Sequence, residues 1–244
     1  MSRYLIIINF RTLFSLLLSL LVPFIAYEFK VVYNIDLTLM SIAIIFPLVF
    51  TIRGAFRRRE KALEHLSRFR ASLITVENFF QNSKMPQELK TESTEKLKEL
   101  NSALFEHLNT KSEDTTLYDQ KLQEMKGFIL VNREAMSGGT RDKLYRFLRD
   151  VIDSADNLIG IHSHRTPVSL KAYCLIFIYI FPVVYTPTII NKIGLENPNW
   201  LTYFIVILSE FILISLYNIQ DQMEYPFDDK GLDDIKFKLF KFKR

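Results

Sequence analysis

Ile42, Phe46 and Phe50 recur at every fourth position of residues 37–60, LTLMSIAIIFPLVFTIRGAFRRRE, a run that ends in Arg53, Arg57, Arg58 and Arg59. On a helix that spacing stacks three large apolar side chains in one row. Such a row is either buried packing or the lining of a passage. The arginines beneath it have the composition of a cytoplasmic membrane boundary. Glu210 is the one carboxylate deep inside an apolar stretch, residues 200–219. A carboxylate there is costly in hydrocarbon and must face protein or water. It reads as an ion or proton contact, or as a hydrogen-bond acceptor for Ser215 or for a tyrosine on a neighbouring helix. His162 and His164 flank Ser163. Without matched carboxylates or cysteines they read as a boundary feature rather than a metal site.

The chain lacks the motifs of catalysis: GxSxG, a Walker-type loop, HExxH and GxGxxG are all missing from the sequence. Seven glycines in 244 residues do not support phosphate-cradling loops. The expectation is a protein that is not an enzyme and takes no cofactor. The single cysteine, Cys174, sits in an apolar block and cannot form an intramolecular disulfide or a cysteine-based metal site.

The elements that must position these residues follow from how polarity is distributed. Hydrophobic residues make up 49% of the chain and are gathered near its two ends, with a strongly charged middle. A soluble domain would interleave them at helical period. Four apolar segments stand out: residues 4–27, 37–52, 168–190 and 200–219. The first continues past signal-peptide length and lacks a small-x-small cleavage site, so it reads as a retained span with Arg11 near its start. Pro47 should bend the second span and leave a carbonyl to be met by a neighbour or by water. Between the pairs, apolar residues keep helical rhythm over 60–80, 88–108, 117–136 and 141–161, predicting a helical bundle. The division is residues 1–56, a first transmembrane pair; 57–165, a cytoplasmic helical region; 166–220, a second pair; and 221–244, a cytoplasmic tail. Four spans put both termini on one side. The arginine cluster, the polar region and the basic tail share it, while the two opposite loops carry only Lys30 and Lys192 as basic residues, so that side is cytoplasmic. A net charge of +4 with no basic stripe argues against nucleic acid and for anionic lipid head groups.

Residues 165–173, RTPVSLKAY, resemble the Asn-Thr-Pro-Ile-Pro-x-x-Tyr segment that opens the third hydrophobic region of the bestrophin family, with Thr166, Pro167 and Tyr173 in the recognisable places. The ending QDQMEYPFDDKGLDDIKF is similar to the bestrophin ending through Gln222, Pro226, Phe227 and Asp233. Two pairs of spans around a helical insert repeat the family plan. The resemblance implies an all-α, four-span homopentameric ion channel in a cell membrane, conducting chloride and other small anions through one central pore. It makes Ile42, Phe46 and Phe50 a hydrophobic pore neck, and Arg53, Arg57, Arg58 and Arg59 an anion-attracting collar. The pattern departs from calcium-regulated members at Tyr225, where they have Asn, at Asp228, where they have Gly, and at Lys230 within the acidic stretch. A calcium site wants oxygen ligands and no ammonium among them, so calcium gating is not expected. Some relatives conduct cations, and a membrane scaffold whose bundle binds a partner is the non-channel alternative.

Overall fold

The computed structural model describes residues 8–110, 112–194, 196–228, 231 and 234–242. Among them the regular structure is entirely helical: α1 (Phe10–Glu28), α2 (Thr38–Gln81), α3 (Gln87–Asn109), α4 (Thr116–Val131), α5 (Gly138–Ser163), α6 (Val168–Ile193) and α7 (Asn199–Met223), with two short 3-10 turns, Arg133–Ala135 and Phe237–Leu239. Four stretches are long and apolar enough to cross a membrane; they hold α1, the first part of α2, α6 and α7. The third such stretch includes α5, but the charges of α5 leave α6 as its apolar part.

The chain forms two compact units, Met1–Arg57 with Thr166–Glu224, and Arg58–Arg165 with Tyr225–Arg244. In the first unit α1, α6 and α7 pack on one another. Helix α1 is started by a reciprocal cap: the Thr12 N–H donates to Asn9 Oδ1 at 3.1 Å and the Asn9 N–H donates to Thr12 Oγ1 at 3.3 Å. Its buried face is small and hydroxylic, Thr12, Ser15, Ser19, Pro23 and Ala26, while Phe10, Leu13, Leu17 and Leu21 are exposed. Small residues at three- and four-residue spacing let membrane helices approach closely. Leu48 of α2, Cys174 and Ile178 of α6, and Ile214 and Tyr217 of α7 close a small apolar core. Past α6 the chain turns at Gly194, whose φ of +87° lies where residues with a Cβ are strained.

The apolar periodicity treats residues 37–52 and 60–80 as separate helices. They are one helix of 44 residues that runs through Pro47 and through the arginine run. Proline frees the carbonyl four residues earlier, here that of Ala43. The Tyr173 hydroxyl of α6 donates to that carbonyl at 3.4 Å, so the orphaned acceptor is met by a neighbour.

The second unit is built around one apolar core. Leu66, Phe69, Leu73, Val76 and Phe80 of α2 are all fully buried, against apolar residues of α3, α4 and α5. The helix read over 117–136 ends at Val131, and Ser137, Gly138 and Gly139 open the next one. Ser137 caps α5 by accepting from the Thr140 N–H, and the glycines form its first turn. The segment after Tyr225 belongs to this core through Phe227, Ile235 and Phe242, and the Phe242 N–H donates to Asn101 Oδ1 at 2.9 Å.

Candidate functional site

Helix α2 carries the apolar row outward. Ile42, Phe46 and Phe50 are 45%, 56% and 60% exposed, and the two rings stand 6.0 Å apart at 52°. The opposite side of the same turns is closed: Ile44, Leu48, Thr51 and Ala55 are buried. At about 100° per residue, Arg53 and Arg57 continue the row beyond Phe50, and both are exposed. Arg58 and Arg59 turn away from it and are half-buried in the second unit. Gly54, one turn below Phe50, faces open space. The row is therefore apolar for two turns and cationic for the next.

Glu210 lies elsewhere, in the seam between α1 and α7, and is fully buried. The Ser15 hydroxyl donates to its Oε1, and its Oε2 has no hydrogen-bond partner among the described residues. Among the described residues neither Ser215 nor a tyrosine supplies the contact, and Ser215 Oγ is itself buried without a partner. The same faces of α1 and α7 carry further polar pairs. The hydroxyls of Tyr27 and Thr202 are 2.7 Å apart, and Asn218 Nδ2 donates to Thr12 Oγ1 at 2.9 Å. At the end of the seam Arg11 donates to Asp221 at 2.9 Å, and Lys171 of α6 donates to Asp221 at 2.5 Å and to Glu224 at 2.6 Å. Sequence reasoning found Glu210 but missed this network. The available signal was Thr12, Ser15 and Ser19, hydroxyl residues at helical spacing inside an apolar run.

His162 pairs with His107 rather than with His164. The two rings are 5.2 Å apart, His107 Nδ1 sits 2.9 Å from the Asp114 carbonyl oxygen, and His164 is exposed. Burial, the facing His107 and the Arg165 guanidinium together lower the pKa of His162 below its ordinary value. Arg165 lies 4.1 Å from the centre of the Tyr225 ring, where a cation–π contact is favourable. Phe227 packs between His162 and Phe237. Asp229, Lys230 and Asp233 of the acidic ending lie outside the described residues. Among the described residues no group of three or more His, Cys, Asp or Glu side chains could hold a metal ion.

No protein-family model matches the chain. No curated protein matches it in sequence. Solved structures do match in fold. A bacterial Bestrophin homolog from Klebsiella pneumoniae, phased on zinc, superposes with a TM-score of 0.78 at 15% identity, over 95% of this chain and 93% of that one. A point mutant of the Klebsiella pneumoniae homolog gives a TM-score of 0.78 at 16% identity over the same shares. A second mutant gives 0.76 at 15%. The chain has a bestrophin-like fold and is a multi-pass membrane protein.

Proposed function

We propose that this chain is the subunit of a homopentameric, bestrophin-like channel that conducts chloride and other small anions through a central pore. Ile42, Phe46 and Phe50 line its neck, and both termini are cytoplasmic. The observation that carries the reading is the fold likeness to a bacterial Bestrophin homolog over 95% of the chain. The outward row on α2 supports it, because five copies around an axis would stack three hydrophobic rings. Such a constriction gates by dewetting. The edges of Phe46 and Phe50 carry partial positive charge and suit a poorly hydrated anion.

Of the four collar arginines, Arg53 and Arg57 continue the row and are placed to concentrate anions by electrostatic focusing. Arg58 and Arg59 sit off it and contribute at longer range. The ion network at the end of α7 supports operation without calcium. Lys171 and Arg11 already neutralise Asp221 and Glu224, so these carboxylates are not free to bind a divalent ion.

The purified protein in detergent should have about five times the protomer mass by light scattering. In a planar bilayer with a potassium chloride gradient, the reversal potential should lie toward that of chloride, with or without added calcium. A reversal potential toward potassium would make it a cation channel. A stable monomer without current would make it a membrane scaffold.

A further inference from the structure

The α1–α7 seam is polar at intervals across the whole span. Thr202, Glu210 and Asn218 recur every eighth residue of α7 and are buried, with Val206 and Ile214 buried between them. The polar positions are thus about 12 Å apart along the helix. Each of the outer two meets a hydroxyl of α1 that can both donate and accept: Tyr27 for Thr202 and Thr12 for Asn218. Glu210 differs. One oxygen takes the Ser15 hydroxyl, and the other, fully enclosed, has no partner among the described residues. Among the described residues none of the ion pairs includes Glu210, and the nearest basic side chains on the packed helices are engaged elsewhere.

The groups facing it can be named element by element. From α1 come Ser15 and, one turn away, Arg11, which is held by Asp221 and lies over the Tyr217 ring. From α6 comes Tyr179, edge-on at 5.1 Å to Phe14, the neighbour of Ser15; Lys171 of α6 is bound to Asp221 and Glu224. On α7 itself Asp221 is three turns away, about 16 Å along the helix. Among the described residues no cation is positioned to balance a charge on the carboxyl, and a bare carboxylate in hydrocarbon is costly by several kcal/mol.

We propose that Glu210 is a proton-binding site in the α1–α7 seam, where uptake and release of one proton links pH to the packing of α1 on α7. The proton bound from water sits on Oε2, while Ser15 keeps its hydrogen bond to Oε1. Release leaves an uncompensated charge between two helices packed through small residues, which favours their separation and the entry of water. The site rests on the membrane-spanning reading of α1 and α7, not on conduction.

The test is infrared difference spectroscopy of the full chain in lipid vesicles, wild type against Glu210→Gln, between about pH 5 and about pH 9, a range that covers strongly perturbed carboxyl groups. The expected result is a carboxylic-acid C=O band in the wild type, sensitive to deuterium exchange. It fades as the pH rises and is missing from Glu210→Gln. Ser15→Ala retains the carboxyl and should shift the same band, which keeps the assignment testable if Glu210→Gln does not assemble. Carboxylate bands alone at every pH would overturn the proposal. An acid band that does not change with pH would also overturn it, reducing Glu210 to a fixed hydrogen-bonding partner that sets helix register. Because no current is measured, failure here is distinct from failure of the channel reading.

Discussion

The two halves of α2 share one buried stripe and differ on their other side. Ile44, Leu48, Thr51 and Ala55, then Ala62, Leu66, Phe69, Leu73, Val76 and Phe80, are all buried, at three- and four-residue steps within each half and one seven-residue step across the arginine run. Opposite that stripe the first half shows Leu39, Ile42, Phe46 and Phe50, and the second shows Glu60, Lys61, Glu64 and Arg68. One rule of packing therefore operates along the whole helix, while the surroundings that the outer face is built for change at the arginine run. Burial alone does not mark function here. What marks the first half is a row of exposed large side chains that becomes cationic on the same face within two turns.

The sharpest way to break this comparison is to shorten one phenylalanine in each half. Phe69→Ala removes a fully buried ring and should cost about 3–5 kcal/mol of folding stability. Phe50→Ala removes a ring that is 60% exposed and should change stability by only about 0.5 kcal/mol. Thermal unfolding in detergent compares the two. Equal losses would mean that Phe50 is structural packing and that the outer row has no separate role.

Next in size is Lys171→Met in the first unit. It leaves Glu224, whose side chain is 1% exposed, without its cation, and should cost about 3 kcal/mol. An unchanged melting temperature would show that the network neutralises nothing that matters to the fold.

A smaller effect belongs to the second unit. His162 has a folded pKa below its unfolded value, so at pH above about 6.5 it is neutral in both states and contributes no pH dependence. As pH falls below that value, the unfolded chain binds the proton more readily and stability declines. Tm should drop on acidification in the wild type, and less so in His162→Gln. Parallel curves for the two proteins would assign the acid sensitivity elsewhere.

The local physics was readable from sequence and the long-range pairing was not. Periodicity places most helix ends to within a few residues, because each apolar face repeats over several turns, although the helix read over 117–136 ends at Val131. The division of α2 into two helices fails for a physical reason. The arginine run is as good a helix former as the leucines around it, while the carbonyl that Pro47 frees at Ala43 finds its partner in Tyr173, 130 residues further along the chain. Glu210 is conspicuous as a lone acid in an apolar run, yet Ser15 lies 195 residues away and becomes its partner only through the crossing of α1 and α7. The outward direction of Ile42, Phe46 and Phe50 was likewise undecided in sequence, since any apolar helix contains such rows. It follows from which side of α2 the residues Ile44, Leu48 and Thr51 bury.

The measurement that bears most directly on the neck is single-channel recording in a planar bilayer of a variant carrying Ile42→Ala, Phe46→Ala and Phe50→Ala together. Removing three apolar rings should raise the open fraction and the conductance by widening a constriction that closes through dewetting. Currents with unchanged conductance and gating would show that this row does not line the pore.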